Sequence, residues 1–172
     1  TAVGSYVISN WAATPKWFLW NIEGSRFIAA DEKGLILHVA AQIGAMRATT
    51  DFGRSWVRAD SGIQTAFIAS IATGLSPSGW RMLAGSEAGV ASLNIGQSWR
   101  SALKLKESVF DIQFIGNTVY AGTEASGISR SLDAGLSWAN ASAGIVPSRV
   151  SSLSYTTGTT PTLLAASAAG AY

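Results

Sequence analysis

Apolar positions along the chain come in short runs separated by turn formers. "RFIAAD", "AFIASIAT", "SVFDIQFIG" and "RVSSLSYTT" are β-branched or aromatic stretches bounded by Gly, Asp, Ser or Thr, a pattern that predicts strands. Helical periodicity is weak throughout, because each cluster is broken by Gly, Ser or Thr before an apolar stripe of period 3.6 can build up. Downstream of the first three runs, "LHVAAQIGAMRATTD", "RMLAGSEAGVASLN" and "TVYAGTEASGISRSLD" each read as a strand ending in small residues, a short turn and another strand. That strand enters one of three similar octets, "TTDFGRSW", "SLNIGQSW" and "SLDAGLSW". A last strand opens with the Ser-Trp of the octet.

Asp51, Asn94 and Asp133 hold the third place of the octets and recur roughly every 40 residues, a period of repeat architectures. Four short antiparallel strands per period is the blade of a β-propeller. The expected fold is all-β, built of four-stranded antiparallel blades, about four of them or part of a larger propeller. Residues 1–24 form an N-terminal aromatic-rich segment, and the blades run over 25–63, 64–104, 105–145 and 146–172, the last incomplete. Small residues in "LAGS", "YAGT" and "LAAS" would let neighbouring sheets approach closely.

The octet reads as a hairpin turn with its own fastening. An Asp carboxylate accepts N–H groups across the turn, a Gly two residues on permits positive φ, and a Trp packs beneath the loop. Asp51, Gly53 and Trp56 fit that division of labour, as do Asp133, Gly135 and Trp138. In the middle copy, with Gly96 and Trp99, Asn94 keeps an acceptor and loses the charge.

The pattern S/T-x-D-x-G-x-S/T-W resembles the Asp-box, or bacterial neuraminidase repeat, and the likeness covers residues 25–172. That resemblance implies a propeller in which the boxes are structural and lie away from any catalytic centre. It spans sialidases, xyloglucanase-type glycosidases, sortilin-type receptors, photosystem II assembly factors and many secreted proteins, and so implies an extracytoplasmic place, whether secreted, periplasmic or lumenal. Sialidases of this fold carry an F/Y-R-I-P stretch; "SRFIAAD" places Arg first and lacks the Pro, so no sialidase residue is carried over, and none of Tyr6, Tyr120, Tyr155 and Tyr172 is marked as a nucleophile. Most propellers of the family have more than four blades. Closure is expected through "SYVISN" completing the last blade, through copies sharing a ring, or through further blades of a longer chain, with the balance toward blades supplied from elsewhere.

Charge and composition narrow the functional classes. With 172 residues, 48% apolar and 13% charged, the chain has the make-up of one well-buried domain. The net charge is +2 and the arginines are scattered, so nucleic-acid binding is not expected. There is no cysteine, and His38 is the single histidine, so a disulfide framework is impossible and a catalytic metal site is poorly supported. "LILHVAAQIGAM" falls short of the ~20 apolar residues that cross a bilayer, and no direct membrane span is expected. A start at Thr1 suits a processed export product or an excised fragment equally. The glycines of "GSEAG" and "GTEASG" lack the strand-to-helix setting of a phosphate loop, so no cofactor is expected.

Two constellations carry candidate chemistry. Glu87 and Glu124 occupy equivalent turns of successive repeats, on the end opposite the octets, and are the candidate acid/base pair of a glycoside hydrolase, which needs two carboxylates roughly 5 to 10 Å apart. The alternative is a turn or rim position copied with the repeat, since Gln42 and an Ala-rich turn replace the acid elsewhere. Asp31, Glu32 and Lys33 read as a solvated hairpin tip, and Asp60 and Asp111 have no assigned partner. "WAATPKWFLW" concentrates Trp11, Trp17 and Trp20 outside the repeats, where they serve core packing, a partner interface or glycan stacking. The combined expectation is a non-enzymatic binding or scaffold module for a protein partner or surface glycan, possible as a homo-oligomer or part of a larger complex. The glycoside hydrolase is the alternative.

Overall fold

The computed structural model describes residues 5–9, 16–20, 25–30 and 36–40 as backbone, and 46–49, 51, 54–63, 67–94, 98–101, 105–157 and 160–172 with their side chains. Two compact units divide the chain, Thr1–Ala59 and Asp60–Tyr172. No helix among the described residues is long and apolar enough to cross a membrane.

In the first unit β1 (Ser5–Ser9) pairs antiparallel with β2 (Lys16–Trp20), so "SYVIS" is bonded to "KWFLW". A four-stranded antiparallel sheet follows in chain order: β3 (Ser25–Ala30), β4 (Ile36–Ala40), β5 (Met46–Thr49) and β6 (Val57–Arg58). The second unit holds three further sheets. One is β7 (Ile68–Ser76), β8 (Gly79–Ser86), β9 (Gly89–Asn94) and β10 (Arg100–Ser101); the next is β11 (Val109–Ile115), β12 (Thr118–Thr123), β13 (Ile128–Ser131) and β14 (Ala139–Asn140). The third is β15 (Val150–Thr156), β16 (Thr162–Ser167) and β17 (Gly170–Ala171).

Burial follows from the sequence of each strand. In β8 the run Met82, Leu83, Ala84 is buried on both faces, as a strand covered on each side requires. In β11 only Val109 and Ile112 are buried, one edge of a half-covered strand. Leu83 and Val90 meet Val109, Ile112, Val119 and Trp138 in one apolar cluster, and Ile128, Val150, Leu153 and Ala165 form the next. Each such aliphatic chain contributes about 1.5–3 kcal/mol on full burial.

Two features set the spacing of neighbouring sheets. A Cβ at Gly85 would stand 2.8 Å from Val109 Cγ1, and one at Gly122 would stand 2.8 Å from both Val150 Cγ1 and Val150 O. Glycine is therefore demanded by close approach, as the small-residue strands predict. The second feature is a β-bulge at the start of every first strand, between Ser25 and Phe27, Ile68 and Ser70, Val109 and Asp111, and Val150 and Ser152. A bulge re-aims the side chain that follows it. Ser70 and Asp111 are so placed.

Candidate functional site

The first and third octets are each fastened by their carboxylate. Thr49 Oγ1 donates to Asp51 Oδ1 at 2.6 Å, Ser55 N–H donates to the same oxygen at 2.9 Å, and Ser55 Oγ donates to Oδ2 at 2.5 Å. The Ser55 hydroxyl, then Thr49 and the Ser55 N–H, hold the Asp51 carboxyl well below the usual range. In the third octet Ser131 Oγ, Leu136 N–H and Ser137 N–H all donate to Asp133 Oδ1, at 2.7, 3.1 and 2.8 Å, and Ser137 Oγ reaches Oδ2 at 2.5 Å. Partial burial acts to raise the Asp133 pKa, but these donors outweigh it and bring it down to about 2. Gly135 takes φ of +90°, and Trp138 is buried beneath the turn with Nε1 donating to Gly135 O at 3.2 Å. Gly53 and Gly96 lie outside the described residues.

The middle octet is wired differently. Asn94 Oδ1 accepts from Arg81 Nε at 3.0 Å, and Arg81 Nη1 donates to Ala134 O, in the next octet, at 3.1 Å. Arg81 is buried, and Trp99 is buried as well. The neutral side chain at position 94 thus ties one octet to the following one through a cation.

Asp111, without an assignable partner in the sequence, is a carboxylate that bonds to the sheets on both sides of its own. Its Oδ2 accepts Leu153 N–H at 2.7 Å, and its Oδ1 accepts Ile112 N–H at 2.8 Å and Ser70 Oγ at 3.3 Å. Ser70 Oγ also accepts Ile112 N–H at 3.2 Å. The side chains after the second and third bulges, Ser70 and Asp111, therefore each take an N–H from the first strand of the next sheet. Sequence reasoning missed this because partner and acceptor are about 40 residues apart.

Glu87 lies in the turn between β8 and β9 and Glu124 in the corresponding turn after β12, both exposed and both at the end of their sheets opposite the octet turns. A third carboxylate joins that end. Glu107 Oε2 accepts the N–H groups of Ala125 and Ser126, each at 3.1 Å. Its burial acts to raise the pKa, and the Ser126 hydroxyl with these two N–H groups lowers it further than burial lifts it. Glu107 is thus an ionised clasp for the loop that carries Glu124. Among the described residues no group of three or more acidic or histidine side chains is placed to hold a metal ion. Trp11 lies outside the described residues; Trp17 and Trp20 sit on β2 as backbone only, with His38 likewise on β4.

Comparison with known proteins adds the fold. A structure of YCF48 bound to a D1 peptide superposes with a TM-score of 0.55 at 17% identity, covering 88% of this chain and 51% of that one. An ancestral GH74 enzyme superposes with a TM-score of 0.65 at 18% identity, covering 88% of this chain and 23% of that one. Both are β-propeller proteins. The fold is a β-propeller fold. The four-stranded sheets are its blades, with the octet joining third to fourth strand and Glu87 and Glu124 between second and third. The chain spans about half of the YCF48 structure and under a quarter of the GH74 enzyme. No protein-family model matches it, and no curated protein does either.

Proposed function

We propose that this propeller is a non-enzymatic module of the Asp-box type that holds a segment of a partner protein, outside the cytoplasm. What supports this most directly is the use to which four carboxylates among the described residues are put. Asp51, Asp133 and Glu107 are held down and ionised by hydrogen bonds that fasten loops, and Asp111 clips sheets together. A glycosidic general acid requires the opposite, a carboxyl raised by an apolar setting. Glu87 and Glu124 stand at exposed turn tips, a setting suited to contact with a partner. The YCF48 structure, a propeller with a peptide bound, offers a precedent for that mode.

The test is a paired assay on one preparation. The protein is screened for hydrolysis of soluble β-glucans and aryl glycosides, and for saturable retention of fluorescent-labelled protein on an array of immobilised peptides. Peptide binding without turnover supports the reading. Turnover that disappears in both Glu87→Gln and Glu124→Gln would overturn it in favour of the hydrolase.

A further inference from the structure

In the first and third octets one set of donors closes on a carboxylate. The hydroxyl two residues before the acid (Thr49, Ser131) donates to it, as do the N–H and the hydroxyl of the serine four residues after it (Ser55, Ser137). These donors favour the ionised form and hold both carboxyls below the usual range. The middle octet keeps the donors, as Ser92 and Ser98, and has Asn94 in place of the acid. The Asn94 oxygen is spent on Arg81 Nε at 3.0 Å. Ser92 Oγ turns to Arg100 O at a long 3.5 Å, and among the described residues neither the N–H nor the hydroxyl of Ser98 has an acceptor.

Arg81 sharpens the imbalance. The residue is only 5% exposed, yet its two hydrogen bonds, to Asn94 Oδ1 and Ala134 O, both end on neutral oxygens. Among the described residues no carboxylate stands within ion-pair distance of it. A buried cation without a counter-charge is costly. The planar fork of the guanidinium puts Nη2 on the same edge as Nε, so it points the same way as the bond to Asn94. A carboxylate would accept from both nitrogens, whereas the Asn94 amide offers one oxygen and, in its Nδ2, further donors. Counted from the shared bulge, Thr118 holds Arg81's place in the next blade, whose octet has its acid, so the cation accompanies the missing carboxylate. Asn94 is half-buried and Ser98 exposed, which leaves this place open to solvent.

We propose that the middle octet, together with Arg81, is a binding site for a carboxylate supplied from outside the chain. The inference goes beyond the protein-binding reading and does not rest on it. The sister octets show which anion the donors fit, a planar carboxylate with one oxygen on the serine N–H and the other on the serine hydroxyl. The Arg81 Nη2 and Asn94 Nδ2 hydrogens add donors that a neutral ligand would not repay. The carboxylate comes from a free small acid or from an acidic side chain of a partner.

The experiment titrates ¹⁵N-labelled protein at constant ionic strength, replacing sodium chloride by sodium acetate. A second titration uses a capped peptide with one aspartate among glycines, and a third the same peptide with asparagine. Saturable shifts of the Ser98 amide and the Arg81 Nε–H are expected with acetate and with the aspartate peptide, and none with the asparagine peptide. Aspartate peptide binding at least tenfold tighter than acetate assigns the site to a partner's side chain, and equal affinity assigns it to a free acid. Asn94→Asp supplies the carboxylate from within the chain, so it should abolish both sets of shifts and raise the melting temperature. Ser98→Ala, which leaves Arg81 and Asn94 in place, should weaken binding about tenfold, the loss of one charge-assisted hydrogen bond. Wild-type affinity in Asn94→Asp, or in Ser98→Ala should the first variant fail to fold, overturns the proposal. Equal shifts with the asparagine peptide overturn it as well.

Discussion

Replacing Asp111 by Ala isolates the bond that ties successive first strands. The Leu153 N–H, on a residue only 4% exposed, loses a carboxylate acceptor at 2.7 Å and gains no water in its place. Ile112 N–H is less affected, because Ser70 Oγ remains at 3.2 Å. A charge-assisted hydrogen bond contributes about 1.5–3 kcal/mol, and a buried donor left alone costs about 1–3 kcal/mol, the two being views of one loss. The expected cost is therefore about 2–3 kcal/mol, or roughly 5–10 °C in melting temperature for a chain of this size. Asp111→Asn keeps one acceptor oxygen, which can face Leu153, and should cost only about 1 kcal/mol. Thermal unfolding followed by circular dichroism reads the stability, and amide exchange at Leu153 reads the bond itself. A melting temperature within a degree of wild type in Asp111→Ala, with Leu153 still protected, would refute the assignment of Asp111 as the clip.

Gly122→Ala places a Cβ 2.8 Å from Val150 O, a backbone atom that cannot turn aside, and overpacking of that kind costs about 1–3 kcal/mol. Ala166→Gly, at the same repeat position but exposed in β16, should change stability by no more than about 1 kcal/mol; equal effects in urea unfolding of the two variants would contradict the packing argument. For Asp133 the folded pKa of about 2 lies below the ordinary 3.8, so its stabilisation is complete above about pH 4 and is lost as pH falls through 2. Since the group is largely open to solvent, the contribution is discounted to the order of 1 kcal/mol. Melting temperatures of wild type and Asp133→Asn should converge between pH 4 and pH 2, and parallel curves would exclude the carboxylate as the fastener.

Strand content and blade order were legible because each depends on local pattern. Turn formers bound each run, and the octet carries its own acceptor, donors and tryptophan within eight residues, so Asp51 and Asp133 could be assigned from the chain alone. Asp111 could not. Its donors from neighbouring blades are Ser70 and Leu153, each about 40 residues away, and no local residue pattern encodes a bond between blades. Glu107 escaped for a related reason: it lies in a linker, while the loop it clasps begins beyond the next hairpin. The bulges left no sequence signal either, since Arg26, Ala69, Phe110 and Ser151 at the extra position share no chemistry.

A repeat protein separates these two kinds of information along its chain. Positions that recur, such as the octet aspartates and the glycines at 85 and 122, are constrained by what every blade must do, and they say little about a ligand. A function particular to this chain has to be sought where equivalent positions differ. Asn94 in place of Asp is one such difference, and Arg81 absorbs it internally by bridging to Ala134. Phe110 at the bulge is another, and the Arg149 guanidinium covers it at 3.9 Å from the ring centroid. Both of these differences are taken up inside the fold, the first by joining one octet to the next and the second by stacking a cation on a ring; the second bears on packing rather than on a ligand, whereas the first leaves the serine donors of the middle octet without a carboxylate.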